Sequence, residues 1–337
     1  MTNSNLLLVG TAKGLFVLRG NNGKWKIDGP HFPGLAVYSA FMDQRKNRNE
    51  MWAGVASWHF GAELCKSEDL GKTWDQPENR RIKMPANTKK SLENIWQIAP
   101  GADDDSLYVG VAPAALFESH DRGLTWRLNR GLWSHPHRKK WNPGFGGLCL
   151  HTIVTDKRDP NDIKIAISTG GVYQTADGGQ KWQVTNTGVK AYFMPNQYPE
   201  FGQCVHKIAR HPKKKNTYFL QNHHGVYRSS DGATTWQEVE DGLPSNFGFG
   251  LTVSDAGSVF IVPLQADGQR SHVTASCAFT AAVTKAIRGS RSRKGFRKRT
   301  RTRSFCAMQF HPQAITSSSA RRTASFLGRW TTAIRGS

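Results

Sequence analysis

The sequence predicts an all-β fold, a β-propeller built of four-stranded antiparallel blades. Three observations support this: an octapeptide that recurs four times, β-rich segments at constant offsets before each copy, and the weakness of helical periodicity. The copies end at Trp74, Trp126, Trp182 and Trp236, in steps of 52, 56 and 54 residues. A period of about fifty residues is typical of one repeated supersecondary unit, such as a propeller blade or a solenoid turn.

Each repeat contains four strand-like segments. The first is seen as NIWQIAP, LHTIVTD and VHKIARH, about 25 to 30 residues before the tryptophan. The second is SLYVGVA, DIKIAIS or TYFLQN, the third is ALFES, GVYQT or GVYRS, and the fourth follows the tryptophan. Polar, turn-rich stretches separate the first segment from the second, which predicts antiparallel strands joined by short turns.

The octapeptides SEDLGKTW, SHDRGLTW, TADGGQKW and SSDGATTW have the composition of a tight turn. Ser or Thr at the first position and Asp at the third can accept hydrogen bonds from nearby backbone N–H groups. Gly at the fifth position adopts a positive φ readily, and the Trp can bury a large ring. We therefore interpret the aspartates as turn braces, not catalytic acids: Asp69, Asp121, Asp177 and Asp231. Ala233 replaces the glycine in the last copy, so we expect a slightly different turn there.

These octapeptides resemble the Asp-box (BNR) repeat, S-x-D-x-G-x-T-W, of sialidase-like and other glycosidase propellers, sortilin-type receptors and photosystem II assembly factors. The resemblance covers residues 1 to about 270. With WNPGFGGLCLHTI, PEFGQCVHKI and QNHHGVYRSSDG, the chain looks like bacterial proteins labelled exo-alpha-sialidase or BNR-repeat glycosyl hydrolase. The resemblance implies that the boxes lie at outer turns, away from a central site. The arginine trio and the Arg-Ile-Pro motif of sialidases are not identified, so no catalytic residue is carried over.

Composition and charge exclude several classes of protein. Five cysteines at irregular spacing argue against a disulfide framework, and no apolar run reaches the roughly 20 residues that a membrane helix needs. We therefore expect a cytoplasmic protein without a membrane partner. The chain has 46 Lys+Arg and 25 Asp+Glu, but residues 271–337 contain 14 basic side chains and no acidic one.

The charge distribution divides the chain into a propeller, residues 1–270, and a basic tail, residues 271–337. About five blades are expected in the first part, around Trp25, Trp74, Trp126, Trp182 and Trp236. The segment 5–25 aligns with the second to fourth strands of a blade, so we expect a strand from the far C-terminus to complete it. Two further boxes, encoded in an offset reading frame of the tail, would bring the intended ring to seven blades.

The tail has three interpretations. Its composition is typical of a disordered basic segment, and its Arg/Lys run could neutralise nucleic-acid phosphates. Permitted codons read in one offset frame, however, yield an octapeptide of the same type near residue 288 and three further blade-like segments. We hypothesise that the chain from about residue 271 is a frameshifted translation, and we expect no nucleic-acid partner.

A ligand site is expected where the innermost strands converge at one mouth of the channel. Alignment of the first strands puts Tyr38, Trp96, His151 and His206 at equivalent positions. They either form a ring of polar and aromatic side chains or are ordinary strand residues whose polar atoms are bonded to neighbours. Further residues near the ends of second strands extend the predicted mouth: Trp58, His59, Glu63, Asn222 and His223.

Two Cys-x-His pairs, Cys149 with His151 and Cys204 with His206, lie on equivalent strands. Thiolate and imidazole together suit zinc. Equivalent positions on adjacent blades are, however, generally farther apart than a zinc coordination shell. We therefore expect buried cysteines, with neither a metal nor another cofactor.

A glycosidase requires two carboxyl groups that flank the scissile bond. Glu93 and Glu200, on loops that enter inner strands, are the candidate catalytic acids, with Glu63 near the end of a second strand, and each is alternatively a solvated loop residue. The first functional hypothesis is a sialidase-like propeller that binds a small polar or saccharide ligand at the mouth, with glycoside hydrolysis as the candidate reaction. The alternative is a non-catalytic scaffold for a protein partner.

Overall fold

The computed structural model describes residues 5–21, 24–57, 59, 61–75, 81–88, 90–273 and 280–282. Within these residues the chain folds into six antiparallel sheets, each formed by consecutive strands. The predicted fold class, an all-β propeller with four-stranded antiparallel blades, is confirmed. None of the helices in this part of the chain has the length and apolar character needed to cross a membrane.

The first two blades contain three named strands each. Blade 1 consists of β1 Asn5–Thr11, β2 Gly14–Asn21 and β3 Lys24–His31. Blade 2 consists of β4 Ala36–Asp43, β5 Glu50–Ser57 and β6 Gly61–Ser67. In blade 2 a backbone bridge between Lys66 and Asp75 stands where the fourth strand runs in later blades.

Blades 3, 4 and 5 are four-stranded, and their fourth strands are only two residues long. Blade 3 contains β7 Asn94–Pro100, β8 Leu107–Ala112, β9 Ala115–Ser119 and β10 Arg127–Leu128. Blade 4 contains β11 Leu150–Asp156, β12 Asp159–Ile167, β13 Gly171–Thr175 and β14 Gln183–Val184. Blade 5 contains β15 Val205–Arg210, β16 Tyr218–Asn222, β17 Val226–Ser229 and β18 Gln237–Glu238.

A sixth sheet follows, which the count of octapeptides did not predict. It contains β19 Gly248–Val253, β20 Val259–Ala266 and β21 Gln269–His272, and β22 Thr280–Ala282 also pairs with β20. The regular helical segments are short: α1 Arg130–Trp133, and the 3-10 turns Arg45–Asn47, Ala86–Thr88 and Pro136–Lys140.

The first strands of blades 2 to 5 surround a common central channel. They line one cavity of about 330 Å³, to which β4, β7, β11 and β15 all contribute. Two side chains connect these strands: Gln97 Nε2 donates to Ile153 O (3.2 Å), and Lys207 Nζ donates to Gln97 Oε1 (3.4 Å) across two blade boundaries. A contact from the third to the fifth blade requires sheets arranged about an axis.

The apolar core lies between neighbouring blades. Trp52 of blade 2 and Phe117 of blade 3 belong to one buried cluster, and Leu150 of blade 4 shares another cluster with Tyr108 of blade 3. Val17 of blade 1 and Val55 of blade 2 form part of a further cluster. A sheet with a neighbour on each side, such as that of blade 3, therefore buries both faces, which explains the continuous apolar run of its second strand, Leu107–Ala112.

All four octapeptides form the same hydrogen-bonded turn. In blade 3, Ser119 Oγ donates to Asp121 Oδ1 (2.8 Å) and accepts the Gly123 N–H (2.8 Å), while Asp121 accepts the N–H of Thr125 (2.9 Å). The other three copies make the equivalent three bonds, with Ser67, Thr175 or Ser229 in the serine role.

The fourth copy does not differ in the way the alanine led us to expect. Ala233 has φ +73°, in the same region as Gly71 (+88°) and Gly123 (+76°), and its N–H bonds to Ser229 Oγ at 2.9 Å. The side-chain hydrogen bonds of the turn therefore hold the backbone in this conformation even where a Cβ is present.

Most of the predicted tail, residues 274–279 and 283–337, lies outside the described residues, so the frameshift hypothesis remains a prediction. The expected completion of blade 1 likewise remains one. Within the described chain, β1 pairs with β2 and packs against β4 of the next blade.

Candidate functional site

The two ends of the propeller channel carry different structural elements. At one end the turn after each second strand meets the loop before a first strand, as in the bonds His223 N to Cys204 O (2.8 Å) and Ala114 N to Leu148 O (2.9 Å). We call this end the mouth face. At the opposite end the octapeptides of blades 3, 4 and 5 bond the turn between the first two strands of their own blade, for example Arg122 N to Asp105 O (2.9 Å). The octapeptides are therefore remote from the mouth face.

The four residues predicted to be equivalent all lie at β-bulges on the mouth face. The pairing of the first strand with the second skips one residue in each blade, and the skipped residues are Tyr38, Trp96, His151 and His206. In the sixth sheet, which we call blade 6, two residues are skipped, Phe249 and Gly250. At a bulge the alternation of side chains between the two faces of the strand is interrupted, so the bulged side chain points in a different direction. Bulges are common beside binding sites.

Tyr38 and Trp96 contact each other, with ring centroids 5.0 Å apart and planes tilted by 59°. They form a small cluster with Ala112 and Cys149. Trp96 is buried and Tyr38 is half-buried, and burial raises the pKa of the Tyr38 hydroxyl, which therefore stays protonated at neutral pH. Tyr38 thus contributes a neutral, half-buried aromatic side chain at this end of the channel.

The two histidines of the ring differ in environment. His151 is buried, and its Nδ1 lies 3.2 Å from Thr152 Oγ1. His206 is half-buried, with Nδ1 2.7 Å from Gly248 O, Nε2 3.5 Å from Cys204 Sγ, and its ring stacked on Phe249 at 4.4 Å. Sequence alignment identified both positions, but only the structure shows that His206 belongs to a larger cluster.

The cluster around His206 brings together residues of two blades. His223 lies beside His206 with ring centroids 5.3 Å apart, and its Nε2 is 3.5 Å from Asp267 Oδ2. Burial is the main cause that lowers the pKa of His223, so this imidazole is neutral at pH 7. Arg270 holds Asp267 at 2.6 Å and lies over the Phe249 ring.

The Asn222 side chain bonds to the backbone of the protein. Its side chain is buried, and Nδ2 donates to Lys190 O at 2.6 Å. His59 is exposed in the turn after β5, where its N–H bonds to Ser57 Oγ at 3.3 Å. Trp58, predicted to extend the mouth, lies outside the described residues.

The candidate acids lie on three different blades. Glu93 is exposed immediately before β7, where its N–H donates to Ala112 O (2.9 Å). Glu200 is exposed before β15 with Oε1 3.7 Å from His137 Nε2, and Glu63, in β6, pairs with Arg81 at 3.5 Å. Within the described residues, the contacts made by Glu93, Glu200 and Glu63 connect none of these acids to another.

Sequence reasoning missed the aromatic residues of the long loops. Tyr192 and Phe193, between blades 4 and 5, are 41% and 55% exposed and lie beside His224 and His223 respectively. Phe249 was detectable, because GFGLT aligns with the first-strand segment VHKIA. The loop aromatics belong to no repeat, so spacing gives no signal for them.

A second missed group lies under the loop before blade 4. Tyr173 OH accepts the Trp141 Nε1–H at 2.9 Å and lies 3.1 Å from His137 Nδ1, and His137 stacks on Phe201 at 4.1 Å. Tyr173 is fully buried, and burial raises the pKa of its hydroxyl. These contacts fasten the loop to the blade below it.

Comparison with known proteins finds curated relatives but no matching family profile. The chain is 25% identical over 199 residues to a probable oligoxyloglucan-reducing end-specific xyloglucanase of Neosartorya fischeri, covering 56% of this chain and 21% of that protein. It is 24% identical over 229 residues to the oligoxyloglucan-reducing end-specific xyloglucanase of Emericella nidulans, covering 59% and 27%.

The chain therefore spans about a quarter of the length of the curated relatives that it matches. Among solved structures, the GH74 xyloglucanase of Xanthomonas campestris aligns with a TM-score of 0.47 at 13% identity, covering 77% of this chain and 49% of that one. These proteins carry glycoside hydrolase names, and none of the three is named a sialidase.

Proposed function

We propose that this chain is a glycoside hydrolase-like propeller that binds a saccharide on its mouth face. The observation that carries the proposal is the set of bulge residues Tyr38, Trp96, His151 and His206, which places aromatic and imidazole groups at one end of the channel in four successive blades. Aromatic rings with a few polar groups are the usual lining of sites for small organic ligands.

The exposed aromatics strengthen this proposal. Tyr192 and Phe193 stand on the same face with large solvent-exposed areas, next to the imidazoles of His223 and His224. Aromatic side chains combine a large apolar area with, in tyrosine, a hydroxyl that hydrogen-bonds. Both properties suit a sugar, because the C–H faces of its ring pack on an apolar surface and the hydroxyl groups at its edges form hydrogen bonds.

The xyloglucanase names of the relatives support β-glucan oligosaccharides as the first ligands to test. The sialidase label remains an alternative, as does the use of the same aromatics to bind a protein partner. Hydrolysis requires Glu93 and Glu200 to act on a ligand that spans their blades, because the structure places these two acids on different elements.

The experiment is a binding and hydrolysis screen of the full chain with xyloglucan oligosaccharides, other β-glucans and sialosides. Binding is expected for a neutral glucan, and Tyr38→Ala should weaken it about tenfold, equivalent to about 1.4 kcal/mol. Leu124→Ala is the matched control, because Leu124 is 54% exposed on the opposite face. Binding that Tyr38→Ala leaves unchanged would contradict the proposed site.

Catalysis is tested in the same screen. A general acid or base contributes about 10²- to 10⁴-fold to a rate, so Glu93→Gln or Glu200→Gln should reduce kcat by at least about 100-fold if these acids react. Binding without turnover would support the saccharide site and contradict the proposal of glycoside hydrolysis. The absence of binding to every glycan would reject the proposal and favour the scaffold.

A further inference from the structure

We propose that Cys204, His206 and His223 form a binding site for Zn²⁺, with three protein ligands and an open fourth position. The ligand atoms of these three residues all lie within 4.8 Å of one another. The zinc site shares His206 and His223 with the mouth face, but its test does not depend on saccharide binding.

The spacing of the first two donors fits a zinc shell. Zinc binds thiolate at about 2.3 Å and imidazole at about 2.0–2.1 Å, so in a tetrahedral shell these two ligand atoms stand about 3.5 Å apart. The distance from Cys204 Sγ to His206 Nε2 is 3.5 Å. The third donor, on His223, lies within 4.8 Å of the other two ligand atoms, so a side-chain movement toward them would complete the shell.

Backbone pairing brings the third donor to this position. Val205 of β15 pairs with Asn222 of β16. Because these strands are antiparallel, His223, which follows Asn222, lies beside Cys204, which precedes Val205. The bond from His223 N to Cys204 O, 2.8 Å, holds these two residues together. The comparison of equivalent strands missed this site because His223 lies in the turn that follows the second strand of the same blade.

The hydrogen bonds of His206 fix the tautomer that a metal requires. Its Nδ1 is 2.7 Å from Gly248 O, and a carbonyl oxygen can only accept, so Nδ1 carries the proton in the neutral ring. The lone pair is then on Nε2, the atom that faces Cys204 Sγ. A backbone carbonyl that orients a ligand histidine in this way is a recurring feature of metal sites.

The surroundings of His223 also suit a bound cation. Asp267 Oδ2 lies 3.5 Å from His223 Nε2, as in the carboxylate–histidine pairs that support zinc ligands, and Arg270 holds this carboxylate in place. Burial raises the pKa of the Cys204 thiol, and hydrogen bonds with the Ser168 side chain and the Thr169 backbone oppose this rise.

A simple thiol–imidazole hydrogen bond accounts for only part of this arrangement. It explains Cys204 and His206 but not the convergence of His223 with its supporting carboxylate. A mixed sulfur and nitrogen donor set selects zinc over magnesium or calcium, which prefer oxygen. With three protein ligands the fourth position is left to water or to a ligand arriving at the mouth, as in catalytic zinc sites.

The test uses the full chain, treated with a chelator and kept reduced with a phosphine. Titration with CoCl₂ is expected to produce a thiolate-to-cobalt charge-transfer band in the near ultraviolet, saturating at one ion per chain, and ZnCl₂ should abolish it by displacement. ZnCl₂ should also raise the midpoint of thermal unfolding, because an ion that binds only the folded state stabilises it.

Variants separate a metal site from a chance cluster. Cys204→Ser should remove the cobalt band, and His223→Gln should weaken zinc binding by more than about 100-fold, while Asp267→Asn should weaken it about 10- to 100-fold. The matched controls are Cys149→Ser, at the equivalent position one blade earlier, and His224→Gln. Circular dichroism of each variant establishes that it folds.

Two results would overturn the proposal. One is the absence of the cobalt band from the folded wild-type chain, which would leave only a hydrogen-bonded pair. The other is a band that persists in Cys204→Ser or disappears in Cys149→Ser, which would place the metal elsewhere. Saccharide binding is measured separately, so failure of one proposal does not imply failure of the other.

Discussion

Replacement of Gly123 by alanine should strongly destabilise the junction between blades 2 and 3. Gly123 is the fifth residue of its octapeptide and has φ +76°, where an L side chain costs about 1–2 kcal/mol. An ideal Cβ at this position would lie 2.4 Å from Trp52 Cη2 and 3.1 Å from Cζ3. Trp52 is 1% exposed, so its ring has no free space into which to move.

The overlap adds to the backbone strain. Overpacking a filled core typically costs about 1–3 kcal/mol, so Gly123→Ala should lower the free energy of unfolding by about 2–5 kcal/mol in total. Gly232→Ala is the matched control. Gly232 has φ +85° in another copy of the turn, but a Cβ there would meet nothing within 4 Å, so only the backbone strain of about 1–2 kcal/mol is expected.

Equilibrium unfolding in urea measures both variants, followed by tryptophan fluorescence and circular dichroism. The difference between the two variants isolates the contact with Trp52, about 1–3 kcal/mol, provided that the m-values match that of the wild type. A Trp52→Phe, Gly123→Ala double variant should show a coupling of at least about 1 kcal/mol, because the smaller ring leaves room for the methyl group. Equal unfolding midpoints for Gly123→Ala and Gly232→Ala would refute the reasoning.

Two other predictions concern buried titratable groups. Hydrogen bonds from Arg210 (2.7 Å) and Arg158 (3.0 Å) hold the pKa of the buried Asp156 carboxyl well below its usual value. The ionised carboxylate therefore stabilises the folded chain fully at a pH above the unfolded pKa of about 3.9. This stabilisation is lost as the pH falls from that value toward the folded pKa. Asp156→Asn should therefore destabilise the chain at pH 7, and the difference from wild type in urea unfolding should shrink between about pH 5 and pH 3; a difference that grows toward acid would contradict this. Burial raises the pKa of the Cys149 thiol to about 12, so iodoacetamide at pH 8 should alkylate this residue only in concentrated urea. Peptide mass measures the labelling. Equal labelling rates in native and unfolded protein would contradict the prediction by showing that the thiol is accessible.

The strands could be predicted closely because their signals are local. The segment NIWQIAP is β7 and LHTIVTD is β11, residue for residue, since apolar runs bounded by polar turns define a buried strand. The helical turn α1 was missed because it depends on a contact between blades. Asn129 caps α1 by accepting the Leu132 N–H, and the same oxygen accepts the Nε1–H of Trp182 from the next blade.

Equivalence of the mouth residues was predictable, but their environment was not. The repeat spacing alone places Tyr38, Trp96, His151 and His206 in register. The bulges at these residues arise from a one-residue mismatch with the second strand, which no pattern within the first strand reveals. The difference between the buried His151 and the clustered His206 depends on neighbouring loops, which lie outside the repeat.

The two ends of the channel separate stability from recognition. At the octapeptide end, side-chain bonds such as Ser119 to Gly123 and Asp121 to Thr125 recur in every copy, so a substitution there removes bonds on which the blade depends. At the mouth face the bulge residues lie outside the ladder pairing, so their side chains can differ between blades without loss of backbone hydrogen bonds. Substitutions at the mouth, such as Tyr38→Ala, should therefore change ligand binding more than folding, whereas Gly123→Ala should do the reverse.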